Sequence, residues 1–84
     1  MRGIILQKIK TTEKIVRMIE AENTLVFETD RQFTKKEIKE EVESLFDVKV
    51  KNIRTYARKN KKFAYVKLKK EFSAADIATK LGVL

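Results

Sequence analysis

Phe63 and Tyr65 stand two positions apart among Lys61, Lys62, Lys67, Lys69 and Lys70. Residues two apart on a β-strand share a face, so this spacing offers neighbouring aromatic rings bordered by ammonium groups. Rings of this kind stack on unpaired nucleobases, and ammonium groups meet phosphates. A plainer reading fits the same residues. Ala64, Val66 and Leu68 point one way, and Phe63 and Tyr65 then serve as core beneath a helix, with lysine stems lying along them.

Around this stretch the charge is concentrated. The 84-residue chain has a net charge of +8, with twenty Lys and Arg against twelve Asp and Glu. Residues 49–70 hold ten of the basic residues and none of the acidic ones, so the rest of the chain is slightly acidic. One segment therefore carries the whole excess, which is an electrostatic footprint for a polyanion. Within it Arg58, Lys59, Lys61 and Lys62 are the densest group, and they are read as a short turn projecting from a sheet.

A second group is Arg31, Lys35, Lys36 and Lys39. Cations at a helix start oppose the helix dipole, but a phosphate bound at the helix amides reverses that sign. Arg2, Lys8 and Lys10 make a weaker third group. All three are candidate RNA-binding positions.

Other chemistry is poorly provided for. The chain has no cysteine and no histidine, which removes disulfides, thiolate catalysis, the usual general base and the commonest metal ligands. Ser44 and Ser73 have no histidine to activate them. Glu20, Glu22, Glu28 and Asp30 lack the spacing of a calcium loop and are expected to form a solvated acidic face turned away from RNA. No catalytic residue, metal or cofactor is expected, and the chain is not read as an enzyme. No apolar run approaches the roughly 18 residues of a membrane span, and MRGIILQKIK does not read as a signal peptide. No membrane association and a cytoplasmic location are expected.

These residues need a scaffold, and the pattern supplies one. Gly3-Ile4-Ile5-Leu6 reads as a short strand. A helix opens near Thr11-Thr12, carries Ile15, Met18 and Ile19 inward, and ends at Asn23. Thr24 to Glu28 has strand composition. Thr34-Lys35-Lys36-Glu37 is a capping box opening a helix with Ile38, Val42, Leu45 and Phe46 on its inner side. Val48 to Lys51 alternates with period two, and Ile53, Thr55 and Ala57 resume one residue out of phase, so a bulge is expected near Asn52. Residues 63–69 form a strand paired back on the previous one. Ser73 caps a last helix with Ala74, Ile77, Ala78 and Leu81 inward, stopped by Gly82. The expectation is one α+β domain over residues 1–84, ordered β-α-β-α-β-β-α, with a four-stranded, mostly antiparallel sheet flanked by helices.

RNA-recognition domains run β-α-β-β-α-β and place their aromatic motif on the third strand. Here the motif-like strand comes fourth and almost no chain follows for a closing strand. A single-strand RNA binder of that kind, using Phe63 and Tyr65, therefore stands as the alternative.

Over nearly its whole length the chain resembles the large-subunit ribosomal proteins numbered twenty-three. Thr12-Glu13-Lys14 is similar to that family's T-E-K, and Thr34-Lys35-Lys36-Glu37-Ile38-Lys39 to its T-K-x-x-I-K. Phe46-Asp47-Val48-Lys49-Val50-Lys51-Asn52-Ile53-Arg54-Thr55 is similar to its F-x-V-x-V-x-x-V-x-T, and Ala64-Tyr65-Val66-Lys67-Leu68 to its A-Y-V-K-L. The chain departs from the family in having no proline before T-E-K and in carrying Phe63 where a small residue or methionine is usual. The short turn at residues 58–62, where bacterial members carry a long loop, makes the chain look archaeal-type. The resemblance implies a structural constituent of the large ribosomal subunit that binds its ribosomal RNA near the peptide exit tunnel and sits beside neighbouring ribosomal proteins. It further implies a docking surface for signal recognition particle and nascent-chain factors, with Glu13 at the family's docking glutamate. In isolation a monomer is expected.

Overall fold

The computed structural model describes residues 8–82, so the strand expected at Gly3–Leu6 lies outside the described residues. The described elements are β1 (Lys8–Ile9), α1 (Glu13–Glu22), β2 (Thr24–Asp30), α2 (Lys35–Phe46), β3 (Val50–Arg58), β4 (Lys61–Leu68) and α3 (Ala74–Lys80). The α+β class and the element order hold. The sheet is antiparallel throughout in the order β1-β2-β4-β3. Three of its strands are long, while β1 contributes two described residues at one edge.

Local chemistry sets the element boundaries. The Thr12 hydroxyl accepts from the Ile15 amide at 3.2 Å to open α1. Asn23 closes it in the left-handed region at φ 55, a conformation asparagine tolerates better than most residues. Its side chain then ties three elements together. The Asn23 amide donates to the carbonyls of Leu68, Lys69 and Phe72, and its oxygen accepts from the Ala74 amide at 2.7 Å. The capping box of α2 forms in both directions, Glu37 N to Thr34 Oγ1 at 3.2 Å and Thr34 N to Glu37 Oε1 at 2.8 Å. Ser73 caps α3 by accepting from the Asp76 amide at 3.1 Å.

All three helices bury their apolar sides in one cluster. Ile19, Ile38, Val42, Ala74, Ile77 and Ala78 meet Leu25, Phe27, Ala64, Val66 and Leu68 from the strands. Phe46 stacks on Phe27 with centroids 5.9 Å apart. Each larger aliphatic buried here contributes about 1.5–3 kcal/mol. Two residues expected inward are not: Leu45 is 50% exposed and Leu81 44% exposed. Both border a depression that they line with Phe46, Ile77 and Lys80 where the ends of α2 and α3 come together, so each keeps one side in solvent.

The register assigns the two faces of the sheet. Leu25, Phe27, Ala64, Val66, Leu68 and Val50 turn toward the helices, so Val26, Phe63, Tyr65, Arg54 and Tyr56 turn away. Phe63 and Tyr65 are half-buried on the face opposite the helices, not core beneath one. The bulge expected near Asn52 is present: Val50 pairs with Leu68 and Asn52 with Lys67, which skips Lys51. This one-residue slip keeps Val50 and Ile53 on the same face, as the change of phase in the sequence requires.

Candidate nucleic-acid interface

The β3–β4 connection is tighter than expected. Strand pairing continues to Arg58 and Lys61, leaving only Lys59 and Asn60 as the turn. Arg58, Lys61 and Lys62 are therefore strand residues, and their charge had disguised them as loop. Lys59 takes a positive φ of 56, which two-residue hairpins demand at their first central position or at both.

Two side chains fasten this hairpin to the loop before α2. Arg31 Nη1 donates to the Lys59 carbonyl at 2.9 Å, and Lys62 Nζ donates to the Phe33 carbonyl at 2.6 Å. Lys62 is thus partly buried and structural rather than a solvated tip lysine. Phe33 immediately precedes the Thr34 cap, so Lys35 and Lys36 follow directly on the Lys62 anchor point. Lys39 comes one turn later on α2, exposed like Lys35 and Lys36. Two basic groups far apart in sequence form one edge of the molecule.

The amides of Lys35 and Lys36 lie at the same end, where no intrahelical carbonyl can reach them. Exposed Lys35, Lys36, Arg58, Lys59 and Arg31 at that edge give a field suited to phosphate oxygens, with Lys62 behind them holding the geometry.

Lys10 belongs to a different arrangement. Its backbone amide donates to the Val26 carbonyl at 2.8 Å, so it is fixed beside β2. Its Nζ lies 3.7 Å from Glu28 Oε1 and 5.7 Å from the Phe63 ring centroid. Lys61 Nζ lies 3.7 Å from Glu28 Oε2, so one carboxylate links the two lysines. Glu28 is thereby removed from the acidic face assigned to it. Its side chain is on the open side of the sheet among cations, whereas Glu20 and Glu22 are exposed on α1. Lys8 pairs with Glu28 through the β1–β2 register. Glu13 is the first residue of α1, exposed and clear of the basic edge in sequence.

Arg54, Tyr56 and Lys67 were not among the site residues expected from sequence. Their signal lies in register: Arg54 faces Tyr65, Tyr56 faces Phe63 and Asn52 faces Lys67 across the strands. Reading β3 and β4 as a pair, rather than one strand at a time, brings them beside the aromatic face.

The family model for ribosomal protein L23 matches residues 4–75, which takes in β1 to β4 and the start of α3. The chain belongs to the ribosomal protein L23 family. The large ribosomal subunit protein uL23 of Pyrobaculum aerophilum is 47% identical over 81 residues, covering 95% of this chain and all of that protein. The namesake from Methanococcus aeolicus is 47% identical over 73 residues, covering 86% of this chain and 85% of the other. These relatives are archaeal, which agrees with the archaeal-type hairpin. Members of this family are ribosomal proteins rather than enzymes. The motif-like strand comes fourth in a chain whose matched family is that of ribosomal protein L23, not that of RNA-recognition domains.

Proposed function

We propose that this protein is a structural constituent of the large ribosomal subunit, acting in the cytoplasm, and that it binds large-subunit ribosomal RNA through the joined basic edge. The observation carrying this is the pair of bonds from Arg31 to the Lys59 carbonyl and from Lys62 to the Phe33 carbonyl. They hold the hairpin turn and the start of α2 as a single cationic rim. Arg31, Lys35, Lys36, Lys39, Arg58, Lys59 and Lys61 contact phosphates of folded RNA, which is recognised mainly through its backbone and shape. Lys62 positions that rim. Lys10 extends the field beside β2, and Lys8 is a further candidate contact.

The location near the peptide exit tunnel, the neighbouring ribosomal proteins and the docking of signal recognition particle and nascent-chain factors at Glu13 follow from the family's pattern. Exposure of Glu13 at the first turn of α1 supports that assignment. An acidic residue there also favours the helix dipole, so stability and docking must be read separately.

Anisotropy titration against a transcript of folded large-subunit ribosomal RNA, beside an unrelated folded RNA of equal length, tests the main claim. Preference for the ribosomal transcript is expected, and equal affinity for both contradicts it. For the docking claim, large subunits carrying Glu13→Ala should retain less signal recognition particle on sedimentation. Unchanged retention removes Glu13 from the docking surface.

A further inference from the structure

Among the described residues, all three helices pack on one side of the sheet, and the other side is paved unlike an ordinary solvent face. Solvent faces of antiparallel sheets are normally polar. Here β3 and β4 place Arg54 opposite Tyr65, Tyr56 opposite Phe63 and Arg58 opposite Lys61. Tyr56 is 53% exposed, and Phe63 and Tyr65 are half-exposed. Arg54, Thr55, Tyr56 and Tyr65 line one shallow depression, and Tyr56, Arg58, Phe63 and Tyr65 line a second, closed on its β2 side by Lys10, Ile15 and the buried Val26. The two depressions share both tyrosines and together make up the trough of this face.

Cross-strand aromatic pairs stabilise sheets, but that role needs no cation beside each ring. The acidic residues on this face are also confined to one side. Glu28 and Asp30 lie on β2, Glu28 is held by Lys10 and Lys61, and Asp30 pairs with Lys61 in register. Along β3 and β4 themselves the face carries Arg54, Arg58, Lys61 and Lys67 around the rings and no acid. An anionic chain therefore has an open track over these two strands, and the track leads to the hairpin turn and its basic rim.

This inference rests on the RNA-binding reading above. The geometry points to a second RNA contact, in which the open sheet face takes an unpaired segment of RNA, its bases stacked on Tyr56, Phe63 and Tyr65 and its phosphates against Arg54 and Lys67. Arginines between tyrosines suit a ligand that is at once anionic and aromatic. A lipid surface or an acidic peptide would use the cations and leave the rings without partners. Stacking on exposed rings is tolerant of base identity, so the face holds flipped-out or looped nucleotides without reading their sequence. The basic rim meanwhile grips folded RNA next to them.

The chain supplies its own reporter. Its two tyrosines are both on this face and it has no tryptophan, so intrinsic emission monitors the trough alone. The titration uses the full chain with a short unpaired RNA oligonucleotide and with a folded large-subunit ribosomal RNA fragment containing an unpaired loop. Tyrosine emission, corrected for RNA absorbance, and anisotropy of labelled RNA are both followed. Saturable quenching that tracks the anisotropy is expected. Tyr56→Leu and Tyr65→Leu should each weaken oligonucleotide binding on the order of tenfold without changing its salt dependence. Tyr56→Phe, which keeps a ring, should restore affinity. Binding by anisotropy with unquenched emission and unaffected leucine variants overturns the stacking face and leaves the basic rim standing. Failure of the chain to bind either RNA overturns both.

Discussion

Lys62 Nζ donates to the Phe33 carbonyl at 2.6 Å, fastening β4 to the residue before the cap of α2. Loss of this bond should act on stability as well as on RNA. Lys62→Met keeps the aliphatic stem and removes the donor. A charge-assisted bond at a partly buried site sets its cost at about 1.5 kcal/mol, read from the shift in urea midpoint. An unchanged midpoint means that the loop and hairpin are not coupled through Lys62.

Lys59 separates stability from binding in the opposite sense. It holds a positive φ of 56 in a two-residue turn, where glycine has no steric penalty. Lys59→Gly should stabilise the domain by roughly 1 kcal/mol while weakening RNA binding through removal of one cation. A variant that is less stable would show that the turn draws on the lysine side chain.

Asn23 closes four hydrogen bonds among α1, β4 and α3 while adopting a left-handed backbone. Asn23→Ala should cost about 3 kcal/mol, combining the broken bonds to partly buried groups with backbone strain. Asn23→Gly should recover only the backbone part. Denaturant titration of both variants measures the split, and equal losses in the two would contradict it.

Glu28 sits 3.7 Å from both Lys10 and Lys61. Glu28→Gln should leave stability within about 0.5 kcal/mol, because ion pairs at the surface contribute little. It also removes the one carboxylate that these two cations share on the open face. RNA affinity should rise roughly threefold at low salt, and the gain should fade as salt screens it. Weaker binding would mean that Glu28 orders the lysines rather than restraining them.

Much of this fold was legible in the sequence because its punctuation is local. Thr12, Thr34 with Glu37, and Ser73 each signal a helix start through a bond within one turn, Asn23 signals a helix stop through its left-handed backbone, and each forms as expected. The bulge was visible as a change of phase between Val50 and Ile53. Leu45 and Leu81 misled because apolar spacing marks a helix side without revealing that the ends of α2 and α3 leave a depression between them. Arg58, Lys61 and Lys62 misled because charge resembles a loop, whereas Arg58 and Lys61 belong to the open strand face and Lys62 finds a carbonyl. The basic residues themselves were readable. Their union into one rim depends on Arg31 reaching Lys59 across 28 positions, and no local pattern encodes that bond.

The salt dependence of binding to folded large-subunit ribosomal RNA tests the joined rim most directly. It is measured for the native chain, for Lys35→Ala with Lys36→Ala, for Arg58→Ala with Lys59→Ala, and for all four together. If both groups grip one RNA, each pair should flatten the plot of log affinity against log salt by up to about 0.9 for every phosphate left without its cation. The fourfold variant should then show the sum. If either pair leaves the slope unchanged, the hairpin and the start of α2 do not bind RNA as one surface.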